Sequence, residues 1–329
     1  MLILSFESSC DETSVAVTKD GKHVLSNEVL SQIDIFKDYG GVVPEISSRE
    51  HVKGIGFAYT KALEDAGVTI DDIDYVAVTE GPGLIGSLLT GINAAKIVAL
   101  NNNIPFVGVN HLSGHIYASM IEHDPVFPLL ALVISGGHTE MVIMNEDYDF
   151  NRIGSTLDDA VGEVFDKVAR IISLPYPGGP LVDKIGKEGE AIYDLPRPVI
   201  NSNDYSFSFS GLKSAVLKLT EDLNKEGIAY KNEDIARSFE EAVADVLYKK
   251  VKKALKEYNF KELLVVGGSA ANSVIREKLS NGFPDIKVTF PQMKYCGDNA
   301  AMIGISAYYK IKKGLFDDMS LQAKSRLDL

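Results

Sequence analysis

The sequence has no tryptophan and only two cysteines among its 329 residues. Two cysteines cannot build a disulfide scaffold, so we predict that Cys10 and Cys296 are free thiols in a reducing compartment. No apolar run approaches the roughly 20 residues that span a bilayer. The opening MLILSFESSCDET lacks the basic start of a signal peptide. We therefore expect a cytoplasmic globular protein without membrane contact, and its length predicts two domains.

Basic residues are outnumbered by acidic ones. The 33 lysines and arginines against 46 aspartates and glutamates give a net charge of −13, which argues against a broad basic surface for nucleic acid. The strongest local basic run is YKKVKKALK, residues 248–256. It is either a solvated helix face or a small patch for phosphates. Any contact with nucleic acid therefore depends on such a patch or on a basic partner.

Two segments of the chain share one pattern. FESSCDETSVAV, from Phe6, and VISGGHTEMVIM, from Val133, each contain an apolar strand, a polar turn, a threonine and a second apolar strand. This weak repeat predicts two related lobes that each open with a β-hairpin, although two unrelated hairpins would look the same. Elsewhere strands alternate with helices, as in an α/β fold. The predicted helices are 44–66, 87–101, 112–123, 157–172, 211–223, 232–258 and 298–313, the strands are 75–79, 105–109 and 263–266, and 174–180 is a predicted loop.

Two of the six histidines, His111 and His115, are separated by three residues at the start of a predicted helix. At this spacing both imidazoles lie on one helix face and can reach one metal ion, unless the two are unrelated. The intervening Leu-Ser-Gly contains no glutamate, so the general base of a zinc protease is missing. The third ligand must come from elsewhere. Asp298, at a predicted helix start, is either that ligand or an N-cap.

Two glycine turns follow predicted strands. SGGHT, residues 135–139, lets the backbone approach a ligand and presents N–H groups to an anion, although an ordinary hairpin turn has the same composition. GGSAAN, residues 267–272, stands where α/β folds hold nucleotides at a helix N-terminus, or where a plain turn leads into a helix.

An acidic helix and a stiff loop complete the candidates. Asp159, Glu163 and Asp166 share one side of the helix LDDAVGEVFDKVAR, which indicates a site or only a solvated face. YPGGP, residues 176–180, is followed by Asp183. This turn can close over a sugar or a base, or it is a surface loop without a ligand.

Taken together, these motifs resemble those of the bacterial TsaD family, the tRNA N6-adenosine threonylcarbamoyltransferases. The resemblance covers essentially the whole chain, and the order of its H-x-x-x-H, SGGHT and FSFSGLKS blocks is highly specific. Departures are small: Ser113 stands where many members have glutamate, and Gly297 and Ser8 stand where threonine is usual. The matching motifs are FESSCDETSVAV, DYGGVVPEISSREH, TEGPGLIGSLLTG, VNHLSGH, VISGGHTEM, LDDAVGEVFDKVAR, YPGGP, FSFSGLKS, GGSAAN and GDNAAMIG.

The resemblance implies the duplicated two-lobe α/β fold of actin, hexokinase and the heat-shock ATPases, with a nucleotide cleft between the lobes. The lobes are expected at 1–128, completed by 298–329, and at 129–297. The resemblance also implies one divalent metal ion, Fe²⁺ or else Zn²⁺, on His111, His115 and Asp298. Asp11 and Glu12 match positions that the family needs for activity. The implied substrate-binding residues are Ile134, Ser135, Gly136, Gly137, His138, Asp166, Gly179, Asp183 and Asn272.

The implied reaction moves the threonylcarbamoyl group from threonylcarbamoyl-AMP to N6 of the adenosine 3′ of the anticodon, in tRNAs that read ANN codons. AMP is a good leaving group, so the site needs to align reactants and stabilise charge rather than supply a nucleophile. Asp11 or Glu12 would accept the proton of the attacking amine. An adenine nucleotide, ATP or AMP, is expected in the same cleft. The implied partners are tRNA, a TsaB-like paralogous subunit and a TsaE-like ATPase.

Two other functions remain open at this point. A small-molecule kinase of the same superfold would use the cleft for ATP, but it does not explain the histidine pair or the block Phe207 to Lys213. A non-enzymatic nucleotide-binding switch would tolerate loss of both His111 and His115, whereas the transferase would not.

Overall fold

The computed structural model describes all 329 residues, which divide into two compact units. The first unit comprises Met1–Pro125, Glu146–Asp149 and Pro291–Leu329, and the second comprises Val126–Asn145 and Phe150–Phe290. Both cysteines are free, as predicted. None of the helices combines the length and the apolarity that a bilayer span requires.

Helices and strands alternate along the chain. The first unit begins with β1 (Leu2–Glu7), β2 (Glu12–Lys19), β3 (His23–Ser31), α1 (Ile33–Phe36), α2 (Pro44–Ala66), β4 (Tyr75–Gly81), α3 (Ile85–Asn102), β5 (Phe106–Asn110) and α4 (His111–Ala118). The second unit contains β6 (Leu129–Ile134), β7 (Thr139–Met144), β8 (Asn151–Ser155), α5 (Val161–Ile171), α6 (Gly178–Gly186), α7 (Ser210–Glu226), α8 (Asn232–Glu257), β9 (Glu262–Val266), α9 (Ser273–Gly282) and β10 (Lys287–Thr289). The chain returns to the first unit in α10 (Ala300–Lys312).

The two sheets have the same topology. Their strand orders are β3-β2-β1-β4-β5 and β8-β7-β6-β9-β10. In each sheet the first three strands form an antiparallel meander, and the last two join it in parallel. The two segments that share a sequence pattern are the β1–β2 and β6–β7 hairpins. The weak repeat therefore reflects a duplicated fold, and the predicted α/β class is confirmed.

Strand β1 packs helices on both faces of its sheet because successive strand residues point to opposite sides. Leu4 and Phe6 join a core cluster with Ala58 of α2 and Leu88 of α3. Between them Ser5 points the other way, and its hydroxyl donates to the carbonyl of Ala300 in α10 at 2.7 Å. The first unit is thus layered, with α10 on the face opposite α2 and α3.

The long amphipathic helices match the prediction best, and α2 covers 44–66 as predicted. Helix α4 ends at Ala118 rather than at residue 123. The prediction of a loop through 180 was wrong, since α6 begins at Gly178. The carboxylate of Asp166 accepts hydrogen bonds from the first two N–H groups of α6, so a contact distant in sequence starts this glycine-rich helix.

Candidate functional site

Two imidazoles and a carboxylate converge in the first unit. Asp298 Oδ1 lies 3.5 Å from His111 Nε2 and 3.2 Å from His115 Nε2. The possible ligand atoms of the three residues all lie within 4.8 Å of one another, and both histidines are buried. Nitrogen ligands with one carboxylate suit transition metals such as iron and zinc. These three residues therefore form a group that can hold a metal ion.

Hydrogen bonding around His115 and Asp298 also supports a metal site at these three residues. Both ring nitrogens of His115 are buried: Nδ1 has no hydrogen-bond partner, and Nε2 has only the Asp298 oxygen beside it, at 3.2 Å. Such orphaned polar atoms are costly unless something else satisfies them. Asp298 is not the N-cap of α10, because Asn299 fills that role by accepting a hydrogen bond from the Met302 N–H at 3.1 Å. The donor set fits a metal ion, and the N-cap interpretation of Asp298 was wrong.

The ionised forms of Asp298 and His111 stabilise each other. Burial raises the pKa of Asp298, but the charges and hydrogen bonds of His111 and His115 together outweigh burial and hold that pKa well below its usual range. Burial lowers the pKa of His111, but Asp298 and then Glu7 raise it well above the ordinary histidine value. A cation is therefore stabilised here, whether it is a proton on His111 or a metal ion that displaces it.

Side chains of β2 and β3 fix the helix that follows Asp298. The Ala300 N–H donates to Ser14 Oγ at 2.9 Å, and the Ala301 N–H donates to Asn27 Oδ1 at 3.1 Å. These bonds satisfy N–H groups of the first turn of α10, which have no partner within the helix. On the facing helix, Gly114 has no side chain, and a Cβ there would lie 2.8 Å from Cδ1 of Ile303. The close approach of α4 and α10 brings Asp298 to the histidines.

Glu7, which the sequence analysis missed, lies directly behind His111. It is fully buried at the end of β1, and its Oε2 is 3.0 Å from His111 Nδ1. Burial raises the pKa of Glu7, but His111 outweighs burial and the resulting pKa is lowered. A glutamate that ends an otherwise buried apolar strand was the available signal, because an unpaired charge there would be strongly unfavourable.

The turn acids lie in the same unit. Asp11 is buried, and its carbonyl accepts a hydrogen bond from the Gln32 N–H at 3.0 Å. Loss of hydration and then the carboxylates of Asp11 and Asp298 raise the pKa of Glu12 well above its usual value. His51, also missed from sequence, is fully buried and holds this turn through a 3.0 Å bond from its Nε2 to the Cys10 carbonyl.

The nine predicted substrate-binding residues all lie in the second unit. The SGGHT turn closes through the Ser135 N–H, which donates to the His138 carbonyl at 2.8 Å. Gly136 and Gly137 are exposed at its tip, where a Cβ would meet nothing within 4 Å. Ile134 ends β6 with its side chain fully buried, so it offers a ligand only its backbone.

The remaining members of this set support helix starts. Asp166 Oδ1 accepts from the Gly178 and Gly179 N–H groups at 2.7 and 3.3 Å. Asp183 Oδ1 accepts from the Ser273 N–H at 2.7 Å, at the start of α9. Asn272 caps α9 through the Ile275 N–H and donates to Glu240 Oε1 at 2.6 Å. The structure thus brings Asp183, Asn272 and Glu240 together, and Glu240 is a further residue that the sequence analysis missed.

The charged helix faces are largely engaged within the fold. Lys167 of α5 lies 2.7 Å from both Glu163 of the same helix and Asp159, which precedes the helix, so these two acids form ion pairs with it. In the basic run of α8, Lys250 is only 1 % exposed and bonds to Ser202 Oγ at 2.5 Å. Lys253 of the same run lies over the Tyr205 ring. Lys250 therefore does not belong to a solvated face, and the run offers fewer free cations to phosphates than its sequence indicated.

Solved structures with this fold are recognisable, although their sequences have diverged. Full-length HypF, solved in a phosphate- and nucleotide-bound form, matches with a TM-score of 0.63 and 15 % identity over 96 % of this chain. This chain spans only 56 % of that HypF chain. Component A of the Acidaminococcus fermentans (R)-2-hydroxyglutaryl-CoA dehydratase matches with a TM-score of 0.55 and 16 % identity, over 95 % of this chain and 98 % of its own. The fold and site define an α/β protein of the actin and hexokinase superfold with a two-histidine, one-aspartate group.

Sequence relatives define the family within that class. The family model described as TsaD, tRNA N6-adenosine threonylcarbamoyltransferase, matches residues 23–305. The Staphylococcus aureus (strain Newman) protein named tRNA N6-adenosine threonylcarbamoyltransferase is 50 % identical over 331 aligned residues, which cover 100 % of this chain and 97 % of that protein. The chain belongs to the TsaD family, and the predicted family and enzyme class are confirmed.

Proposed function

We propose that this chain transfers the threonylcarbamoyl group of threonylcarbamoyl-AMP to N6 of the adenosine 3′ of the anticodon, in tRNAs that read ANN codons. The observation that carries the proposal is the convergence of His111, His115 and Asp298 in a chain that belongs to the TsaD family. A kinase or a nucleotide switch of the same superfold has no use for this group.

The metal ligands are proposed to be His111, His115 and Asp298. A divalent ion held there, Fe²⁺ or else Zn²⁺, would supply Lewis-acid stabilisation of oxygen charge that develops during acyl transfer. The protein's contribution is a fixed geometry, since α4 presents both imidazoles and the strand side chains Ser14 and Asn27 hold the start of α10. Preorganised groups of this kind need no rearrangement at the moment of reaction.

The substrate is proposed to bind along the second unit's turns. The exposed Gly136 and Gly137 allow a close backbone approach to the adenylate phosphate. Ile134, Ser135 and His138 complete this strip. A ribose or the threonyl amide would meet Asp166 and Asp183, near Gly179 and Asn272. An adenine nucleotide, ATP or AMP, would occupy the same place.

The attacking N6 amine forms a C–N bond to the carbamoyl carbon, the C–O bond to AMP breaks, and the amine loses a proton. Asp11 or Glu12 is proposed to accept that proton. The raised pKa of Glu12 suits a proton acceptor, because it makes this carboxylate a stronger base than an ordinary glutamate. Exchange of both acids for amides, D11N together with E12Q, is expected to stop single-turnover transfer. Intact transfer by this double variant would exclude both residues as the base.

Transfer itself is tested by mass spectrometry of tRNA nucleosides after incubation with threonylcarbamoyl-AMP and the partner subunits. His111→Ala is expected to lower product formation by at least about 100-fold, because a ligand of the metal is lost. His23→Ala, which removes an exposed histidine of β3, is the matched control and should retain transfer. Wild-type rates in the His111 variant would contradict the proposal.

A further inference from the structure

A carboxylate lies in the interior of the first unit and has no part in the proposed transfer. Glu7 is 0 % exposed, and it follows the buried residues Leu4, Ser5 and Phe6 in the central strand β1. Burying an ionised carboxylate is strongly destabilising unless its oxygens are fully hydrogen-bonded. The hydrogen-bond partners of Glu7 therefore indicate its role.

Both oxygens of Glu7 act as acceptors. Oε1 accepts from the Ser9 N–H at 2.5 Å, and Oε2 accepts from Thr79 Oγ1 at 2.5 Å. The third contact is His111 Nδ1, 3.0 Å from Oε2. A carboxylate has no proton to give, so this contact is a hydrogen bond only when Nδ1 of His111 carries the proton.

This arrangement selects one tautomer of His111. With the proton on Nδ1, the lone pair of a neutral ring is on Nε2, the nitrogen that lies 3.5 Å from Asp298. Ser9 Oγ also lies 3.2 Å from Nδ1. The carboxylate contact dominates because a charge-assisted hydrogen bond is about twice as strong as a neutral one.

We propose that Glu7 is a positioning residue for the metal centre, which fixes the ring and the tautomer of His111 so that Nε2 faces the ion. The inference rests on the proposed function, which makes His111 a ligand. Thr79 and the Ser9 N–H in turn hold Glu7 in place. Carboxylates that accept from the second nitrogen of a ligating histidine also raise its basicity toward the metal.

The test measures Zn²⁺ affinity of the full chain by competition with a chromogenic chelator. Glu7→Gln preserves the size of the side chain and removes its charge, and it is expected to weaken Zn²⁺ binding by about 10–100-fold. Glu146→Gln, an exposed residue of the same unit paired with Lys313, is the matched control and should keep wild-type affinity. A purely structural role for Glu7 would change the melting temperature without changing the affinity of the folded protein.

The variants also separate this inference from the metal site itself. If His111→Ala loses Zn²⁺ while Glu7→Gln binds within about threefold of wild type, the positioning role is wrong and the metal site stands. If the wild-type chain binds no Zn²⁺, or His111→Ala binds it equally well, the metal site and the positioning role both fail.

If Glu7→Gln does not fold, NMR spectroscopy of the wild type tests the positioning role of Glu7. In Zn²⁺-loaded protein with ¹⁵N-labelled histidine, the His111 resonances, assigned by their loss in His111→Ala, should show a slowly exchanging proton on Nδ1. A proton on Nε2 of His111 would overturn the proposal.

Discussion

Glu240 is a fully buried residue of α8, and its two carboxylate oxygens differ in their hydrogen bonding. Oε1 accepts from Asn272 Nδ2 at 2.6 Å, whereas Oε2 is buried without a partner. Burial raises the pKa of Glu240 from 4.5 to about 8, and Asn272 opposes this only in part. The folded protein therefore binds this proton more tightly than the unfolded chain does. The stability that Glu240 contributes is present below pH 4.5 and is lost as pH rises through about 8.

Glu240→Gln is expected to remove this pH dependence, because the amide stays neutral and its oxygen can still accept from Asn272. Between pH 5 and pH 9 the wild type should lose about 4 kcal/mol of unfolding free energy that the variant keeps. Urea unfolding across this range measures the difference. Glu241→Gln, on the next residue and paired with Lys278, should retain the wild-type slope. Parallel profiles for wild type and Glu240→Gln would show that Glu240 stays ionised.

At the scale of the elements, the end of β9 is constrained by the backbone of the neighbouring strand β6. Gly267 has φ +96°, in the region that favours glycine, and a Cβ there would lie 2.5 Å from the Ile134 carbonyl oxygen. That obstacle is backbone of the β6 end, where the SGGHT turn begins, and it cannot rotate away. The adjacent Gly268 has nothing within 4 Å of a Cβ. The two glycines of one motif thus have different roles.

Gly267→Ala is expected to destabilise the fold by about 3 kcal/mol, through backbone strain and overpacking against Ile134. It should also displace the Ser135 turn and weaken binding of AMP. Gly268→Ala is the matched control for stability and should stay close to wild type in thermal unfolding, because a Cβ there meets nothing within 4 Å. Thermal unfolding and calorimetric titration with AMP measure the two effects. Equal melting temperatures of the two variants would refute the close approach of Gly267 to the Ile134 carbonyl.

For the molecule as a whole, charge limits what the chain can bind alone. The net charge of −13 opposes a polyanion. In the basic run of α8, Lys250 is buried, and the ammonium group of Lys253 lies over the Tyr205 ring. A tRNA substrate therefore requires phosphate contacts from elsewhere, and we propose that the partners are a TsaB-like subunit and a TsaE-like ATPase, in the cytoplasm.

The isolated chain is expected to bind tRNA weakly, with a Kd no tighter than about 10⁻⁶ M at physiological salt. Addition of the TsaB-like subunit should tighten binding by at least about 10-fold through added phosphate contacts. Fluorescence anisotropy with labelled tRNA over a salt series measures both. Tight binding by the chain alone that is insensitive to salt would contradict the need for a partner.

Local patterns predicted the long helices and the histidine pair because both depend on spacing within one element. The 44–66 helix and the strand before His111 follow from periodicity and from the proline at the helix start. Helix α6 was missed because its start depends on Asp166, 12 residues earlier in the chain. Glu7 was missed because its role depends on contact with His111, 104 residues away in the chain.

The sequence by itself determined the family, the α/β class, the free thiols and the identity of the candidate ligands, since these follow from motifs and residue types along the chain. Only the tertiary structure decided that Asn299 rather than Asp298 caps α10, and that Glu7 lies against His111. The physical reason is that a hydrogen bond or an ion pair depends on distance in space. The pairing of β1, β4 and β5 sets that distance, and no local pattern encodes it.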